Sequence, residues 1–301
     1  MDRFFQTCHT LDVSHACNTA ELWETALHTL AQDGDVQALV VESPALTRAR
    51  VKRLIAVLSA QKRRLGALTC SAACSDACSL MLEHVVKLRI PRLCLCQNAP
   101  GASSLFTFGV QMQRSAHLTH LDLGRNGIGC DTLATLVRGL CKHKNLQCLS
   151  LSHNPLGDAG LSYLVPVLSA PLRLERLYMA GTQGGDLGAA HLAKRVAEHP
   201  LLQVLDLSEN PSLGAVGWFS LSHALARNKS LRVLNLAFTA PKPVSICHMA
   251  MSLAENHTLQ ALEYTHVPNL TEDSCEAEEC IARCLTRNAR GGFQGGASVD
   301  V

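Results

Sequence analysis

Fourteen cysteines and fourteen histidines are the residues of this 301-residue chain with the most chemical potential. Metal sites and nucleophilic centres require such side chains at specific, close spacings. No two cysteines have the Cys-x-x-Cys spacing that small zinc sites favour, although Cys94 and Cys96 are two residues apart. Cys280 and Cys284 are one helical turn apart, which is typical of a buried helix stripe. The cysteine pattern therefore predicts no metal and no other cofactor.

Catalytic motifs are also missing from the sequence. It contains no Gly-x-Ser-x-Gly, no His-Glu-x-x-His, no phosphate-binding loop and no Gly-x-Gly-x-x-Gly after a predicted strand. His143, His199 and His257 recur at the ends of predicted helices, so a repeated structural role explains them better than a catalytic triad does. We therefore expect a protein that is not an enzyme.

The cysteines are interpreted as reduced thiols. Residues 1–10 lack the basic and apolar regions of a secretory signal, and no apolar run approaches the roughly 18 residues of a membrane span. Without a route to an oxidising compartment, thiols serve as small hydrophobic side chains. We expect a cytoplasmic protein, with a cytoskeletal or ciliary association and a nuclear location left open.

The formal net charge of +2 conceals a basic segment at residues 48–64. This segment contains no acidic residue and seven cations: Arg48, Arg50, Lys52, Arg53, Lys62, Arg63 and Arg64. Val51, Leu54 and Leu58 recur at helical spacing, which predicts an amphipathic helix with a basic outer face. Such a face could bind nucleic acid or an anionic membrane. Because no aromatic residues are interleaved, we favour a solvated helix over either partner.

A leucine pattern organises the rest of the chain. Leu118, Leu121 and Leu123 form the motif L-x-x-L-x-L, and Asn126 follows three residues later. The motif returns at intervals of 28, 28, 28, 29 and 28 residues, starting at Leu146, Leu174, Leu202, Leu231 and Leu259. Weaker copies start at Cys8, Val36, Leu65 and Ile90. The sequence therefore predicts about ten repeats, of which the first three are degenerate.

Each repeat is expected to form one strand and one helix. The last two leucines of the motif alternate with other residues, so they point to one face of a short strand. Parallel strands need a crossover of a dozen or more residues, and the second half of each repeat has helical spacing. We assign residues 1–290 to one repeat domain that ends in a capping helix at 274–288. Residues 291–301 are expected to form a flexible, glycine-rich tail.

Asparagines recur in the turn that follows the strand. Asn98, Asn126 and Asn154 are spaced one repeat apart, and Asn210 returns to the same position after an interruption at Thr182. An asparagine side chain bonds exposed turn backbone, so a stacked column can tie successive repeats together. We expect a continuous ladder from Asn98 to Asn154.

This repeat of strand, asparagine-containing turn and full helix resembles the ribonuclease-inhibitor-like subclass of leucine-rich repeats over roughly residues 8–288. The resemblance implies an α/β solenoid, or horseshoe, with a concave parallel sheet and outer helices. The subclass includes Ran GTPase-activating proteins, which makes GTPase activation the alternative to a binding function. Arg125 with Asn126 is the pair to test for that activity, although the chain lacks the long acidic tail of those proteins.

The concave face is the strongest candidate for binding. The middle residue of each L-x-L projects to that face, and these residues become polar from Asp122 onward. Tyr178 beside Arg176 is a combination that is over-represented at interface hot spots. The predicted partner-binding residues are His120, Asp122, Arg125, His153, Arg176, Tyr178, Asp206, Glu209, Asn235 and Phe238. The sequence therefore predicts a scaffold or adaptor that binds a protein partner, without identifying that partner.

Overall fold

The computed structural model describes residues 9–33, 35–60, 65–71, 73, 75–113, 115–170, 173–265 and 271–291. Within the basic segment, Lys62, Arg63 and Arg64 lie outside these residues, as does the tail from residue 292. The chain separates into two compact units. The first unit is Met1–Asn154 with Ala170–Arg173, and the second is Pro155–Ser169 with Leu174–Val301.

The first unit alternates strands and helices. Its described strands are β1 (Thr10–Asp12), β2 (Ala38–Glu42), β3 (Ala67–Ser71), β4 (Arg92–Cys94), β5 (His120–Asp122) and β6 (Cys148–Ser150). Its described α-helices are α1 (Ala20–Gln32), α2 (Arg48–Ala60), α3 (Ser75–Leu88), α4 (Ala102–Met112) and α5 (Cys130–Leu140). Each strand pairs in parallel with the next one along the chain. The degenerate repeats predicted at the N-terminus therefore supply strands like the others.

The second unit is built in the same way. Its described strands are β7 (Arg176–Tyr178), β8 (Val204–Asp206), β9 (Val233–Leu236) and β10 (Ala261–Tyr264). Its described helices are α6 (Gly157–Tyr163), α7 (Val165–Ser169), α8 (Asp186–Val196), α9 (Ala215–Arg227), α10 (Pro243–Glu255) and α11 (Glu272–Gly291). β7 to β10 are again parallel and in chain order.

The leucine motif sets the register of both units. In the second unit, Leu177 pairs with Leu205 and Leu205 with Leu234, so equivalent leucines stack. All three are essentially inaccessible to solvent, because they face the helices. The predicted α/β leucine-rich-repeat solenoid, in which parallel strands alternate with helices, is confirmed.

The single helix expected in the repeat that starts at Leu146 is interrupted. It forms α6 and α7 instead, and Leu164 lies between them with its N–H donating to Leu161 O at 3.1 Å. Pro166 explains the break, because proline has no N–H to donate to the carbonyl four residues earlier and its ring clashes with that carbonyl. The apolar stripe survives the break, since Leu161, Leu164 and Leu168 remain buried.

The predicted asparagine ladder is present in the first unit. Asn126 Nδ2 donates to Leu95 O at 2.7 Å, and Asn126 Oδ1 accepts from Asn98 N at 2.7 Å. Asn154 Oδ1 accepts from Asn126 N at 3.0 Å, so each asparagine joins its own turn to the preceding one. In the second unit Thr182 holds the equivalent position, and its buried hydroxyl lies 3.2 Å from Asn210 Oδ1. The shorter threonine side chain thus takes the place of an asparagine in a hydrogen-bonded column of the second unit.

A second set of polar side chains closes the helix ends. His143 and His199 accept, at Nδ1, from the N–H groups two and three residues later. Asn256 does the same through Oδ1, accepting from Thr258 and Leu259. The prediction that His257 belongs to this set is therefore wrong. Asn256 occupies the position, and His257 is exposed, because a one-residue offset decides which side chain turns inward.

Replacing both buried histidines by asparagine should remove part of the acid sensitivity of folding. Burial lowers the pKa of His143 and of His199 below the ordinary value of 6.5. Below about pH 6.5 the unfolded chain then binds more protons than the folded chain, so the free energy of unfolding falls as pH falls. If the folded chain binds a proton tenfold more weakly than the unfolded chain, full protonation lowers the free energy of unfolding by about 1.4 kcal/mol for that histidine. Asparagine supplies the same acceptor without titrating, as Asn256 shows.

Urea unfolding of the H143N/H199N variant between about pH 5 and pH 7.5 measures this effect. The variant should lose less stability than the wild type on acidification. His257→Asn is the matched control, since it makes the same substitution at an exposed position. An equal acid loss in the double variant and the wild type would show that other groups are responsible.

Candidate functional site

Four side chains stand side by side on the strands of the second unit. Tyr178 pairs with Asp206, Asp206 with Asn235, and Asn235 with Glu263. Parallel strands lie about 4.8 Å apart, so neighbouring members of this row are in contact range. The flanking leucines point towards the helices, and alternation therefore directs these four residues to the opposite side. We call that side the sheet face, and Tyr178, Asp206, Asn235 and Glu263 the sheet-face row.

Two members of the sheet-face row are held by their own backbone. Asp206 Oδ1 accepts from Ser208 N at 2.9 Å, and Asn235 Oδ1 accepts from Ala237 N at 2.9 Å. Both side chains are half-buried, while Glu263 is exposed. A side chain that is already oriented loses less conformational entropy when a ligand binds. The row is therefore suited to specific recognition.

One cationic and two apolar side chains border the row. Arg176 pairs with Val204, and Val204 pairs with Val233 one strand further on. All three are half-buried and share the orientation of the row, because they precede it by two residues on their strands. The two valines are not among the partner-binding residues predicted from the sequence. Their position relative to the leucine motif, which is that of Arg176, is the signal that would have found them.

The turn after each strand presents a further column of side chains. Glu209 and Phe238 adopt left-handed backbone conformations, with φ of 55° each, and Gly181 holds the equivalent position with φ of 61°. Backbone hydrogen bonds impose this conformation, since Glu209 N donates to Ala237 O at 2.8 Å. Phe238 N donates to Thr265 Oγ1 at 2.5 Å. Both side chains consequently project into solvent.

Phe238 combines two unfavourable features. It is 66% exposed, and a bulky residue in the left-handed region is uncommon because its Cβ crowds the backbone. Such strain costs on the order of 1–3 kcal/mol, and it clusters at binding and active sites. Arg125, His153 and Glu209 adopt the same conformation in equivalent turns, so the repeat imposes it, and the exposed aromatic ring is what distinguishes Phe238.

The ten predicted partner-binding residues divide between the two units. Arg176, Tyr178, Asp206, Glu209, Asn235 and Phe238 come together in the second unit. His120, Asp122, Arg125 and His153 belong to the first unit. In the first unit the pairing places His120 beside Cys148 and Asp122 beside Ser150, while Arg125 and His153 occupy left-handed turns with φ of 56°.

Arg125 and Asn126, the pair to test for GTPase activation, differ in their surroundings. Arg125 is exposed in its turn. Asn126 is 3% exposed, and its amide is engaged in the ladder described above. The amide of Asn126 therefore has a structural role in the ladder, and the GTPase-activating alternative stays a prediction.

The described part of the basic segment forms α2 as expected. Val51 and Leu54 are fully buried, and Lys52 is exposed. Two cations have partners within the first unit. Arg50 Nη1 donates to Ala45 O at 2.6 Å, and Arg53 forms a bidentate pair with Glu24 of α1. These contacts reduce the positive surface of α2 and support the interpretation as a solvated helix.

The cysteines of the described regions are free thiols. Cys70 is fully buried in a leucine position of β3, and burial raises the pKa of its thiol. Across the described regions, no helix is long and apolar enough to cross a membrane.

Comparison with known proteins places this fold in context. A family model described as "Leucine Rich repeat" matches residues 114–130 and 142–165. No curated protein matches the chain. It is similar to the tropomodulin C-terminal domain of Caenorhabditis elegans, with 14% identity over 64% of this chain and 96% of that one, at a TM-score of 0.41.

Two further solved structures are similar at low identity. Against the Rad7 and Elc1 complex in yeast, the identity is 14% over 83% of this chain and 75% of that one, with a TM-score of 0.48. The chain is also similar to leiomodin-1 actin-binding site 2. The sequence identity is 12% over 73% of this chain and 91% of that one, with a TM-score of 0.27. The family match within residues 114–165, together with the parallel strands and the helices described above, supports a leucine-rich-repeat fold.

Proposed function

We propose that the chain is a non-catalytic scaffold that binds a protein partner on the sheet face of its second unit. The in-register row from Tyr178 to Glu263 supports this proposal most strongly, with the exposed Phe238 in the adjoining turn. A tyrosine ring offers a large, stiff contact area, and polar groups around it orient a ligand. Single hot spots of this type dominate many protein interfaces.

The charges of this surface suggest the chemistry of the partner. Asp206, Glu209 and Glu263 supply three carboxylates, against the single guanidinium of Arg176. Complementary charge accelerates encounter and rejects wrong partners. We therefore expect the partner to present basic side chains around an apolar contact that meets Tyr178 and Phe238.

Tyr178→Ala should weaken partner binding strongly while the protein remains folded. We expect the dissociation constant to rise by about 30-fold, which corresponds to about 2 kcal/mol. The partner is first captured from native cells with the wild-type chain and identified by mass spectrometry. Binding of the purified partner to each variant is then measured by calorimetry. An unchanged dissociation constant for Tyr178→Ala would show that the sheet-face row is not the binding surface.

Phe238→Gly provides a second test with little risk to the fold. Glycine is the residue that the chain itself uses at the equivalent position, Gly181, and it relieves the left-handed strain. Stability should therefore be retained while affinity falls. Met251→Ala is the matched control, because Met251 is 69% exposed on α10 in the helical layer and should not contact the partner.

A cytoplasmic location, with or without cytoskeletal association, belongs to the same proposal. Cys70 and Cys78 are free and buried, so they serve as small core residues, and a reducing compartment keeps such thiols intact. Fractionation of native cells, followed by immunodetection of the chain, checks this location.

A further inference from the structure

Three potential metal ligands converge in the first unit. Cys94 Sγ lies 3.1 Å from Cys96 Sγ and 3.8 Å from Asp122 Oδ2. The ligand atoms of all three residues lie within 4.8 Å of one another. We propose that Cys94, Cys96 and Asp122 form a binding site for Zn²⁺. This proposal does not depend on the protein-binding surface of the second unit.

The strand pairing creates this cluster. Cys94 lies directly beside Asp122 in the register of β4 and β5. The pairing continues beyond β4, since Leu95 N donates to Asp122 O at 2.9 Å and Gln97 N donates to Gly124 O at 3.1 Å. In an extended segment, residues two apart point to the same side, so the Cys96 side chain lies on the same side of the segment as that of Cys94. Backbone geometry thus holds the three side chains together.

The carboxylate is oriented for the role of a ligand. Asp122 Oδ1 accepts from Gly124 N at 2.9 Å, which leaves Oδ2 directed to Cys94. Position 124 has no side chain, and a Cβ there would lie 3.2 Å from Asp122 Oδ1. Glycine therefore leaves the carboxylate undisturbed. A hydrogen bond that fixes the outer oxygen of a ligand is typical of metal centres.

The separations suit a zinc ion after a small adjustment. Zn–S bonds of about 2.3 Å and Zn–O bonds of about 2.0–2.2 Å place tetrahedral ligands roughly 3.5–3.8 Å apart. The Cys94–Asp122 separation is already in this range, and the two sulfurs must open by roughly 0.6 Å. Rotation about the cysteine side-chain bonds provides that opening. Sulfur ligands favour zinc over magnesium or calcium, and three protein ligands leave a fourth position for water.

Core packing does not explain these two cysteines. Cys70 occupies a leucine position, whereas Cys94 and Cys96 alternate with Leu93 and Leu95 and so face away from the leucine core. They are nevertheless 8% and 3% exposed. The site does not follow the Cys-x-x-Cys pattern, because its third ligand is on the next strand and only one residue separates the two cysteines.

Titration of the reduced, metal-stripped full-length chain with Co²⁺ tests the site. Co²⁺ bound by thiolates absorbs in the near ultraviolet and gives intense visible bands in tetrahedral geometry. We expect one Co²⁺ per chain, displaced by Zn²⁺. Cys94→Ser and Cys96→Ser should each weaken the thiolate band and lower the affinity by at least tenfold. Asp122→Asn should keep the thiolate band and lower affinity by about ten- to a hundredfold.

These variants should fold, because the chain uses serine at the corresponding positions of other repeats, namely Ser150 beside Asp122 and Ser71 in β3. Circular dichroism checks this. The C280S/C284S variant, which removes a different close cysteine pair, is the matched control and should bind Co²⁺ like the wild type. A thiolate band that survives in the C94S/C96S variant would overturn the assignment. A wild-type chain that shows no thiolate band would also overturn it. The same holds if the purified chain contains a Cys94–Cys96 disulfide, which mass spectrometry detects as the loss of two hydrogens.

Discussion

Asn126→Ala is expected to lower the free energy of unfolding by about 3–5 kcal/mol, because each buried polar group left unpaired costs about 1–3 kcal/mol. Asn126 Oδ1 accepts from Asn98 N at 2.7 Å and from Ala99 N at 3.2 Å, and Nδ2 donates to Leu95 O at 2.7 Å. Alanine would leave all three backbone groups without this partner. Urea-induced unfolding followed by circular dichroism measures the loss.

The neighbouring Arg125→Gly variant is the control for this experiment. Arg125 occupies the same turn, is exposed, and has a left-handed backbone with φ of 56° that glycine adopts without strain. Its stability should equal or slightly exceed that of the wild type. If Asn126→Ala were no less stable than Arg125→Gly, the asparagine column would contribute nothing to the cohesion of the repeats.

Leu177→Ala should destabilise the second unit by about 2–5 kcal/mol, the usual cost of a cavity left by a buried leucine. Leu177 is 1% exposed and stacks on Leu205 of the next strand. The repeat architecture limits the collapse of such a cavity, since equivalent leucines on the adjacent strands are held in register. Thermal and urea unfolding of the variant provide the measurement.

Tyr178→Ala, one residue further along β7, is the natural control for this substitution. Tyr178 is half-buried and belongs to the sheet face, so its removal should cost no more than about 1 kcal/mol. The two neighbours should therefore have opposite effects, Leu177 on stability and Tyr178 on partner binding. Equal destabilisation by both substitutions would mean that Tyr178 is part of the core and would remove the basis for the proposed surface.

The leucine spacing by itself determined the fold. A period of 28 to 29 residues, with two alternating leucines and then a helical stripe, can bury its apolar side chains only as a strand followed by a helix. Repetition makes that inference robust, because an error in one repeat is corrected by the others. The same logic located the sheet-face row from Tyr178 to Asn235, since strand alternation places every middle residue on one face.

Tertiary structure decided the features that depend on a single residue's geometry. The left-handed turn that exposes Phe238 comes from hydrogen bonds with the following repeat, which no local pattern specifies. At the end of α10 the side chain that accepts the backbone hydrogen bonds is Asn256 and not His257, one residue later. Asp122 lies in the repeat after the one that holds Cys94 and Cys96, and only strand pairing brings the three ligand atoms together. The repeat period predicts which face a residue occupies. A metal site also depends on the distances between side chains of neighbouring strands, and only folding sets those distances.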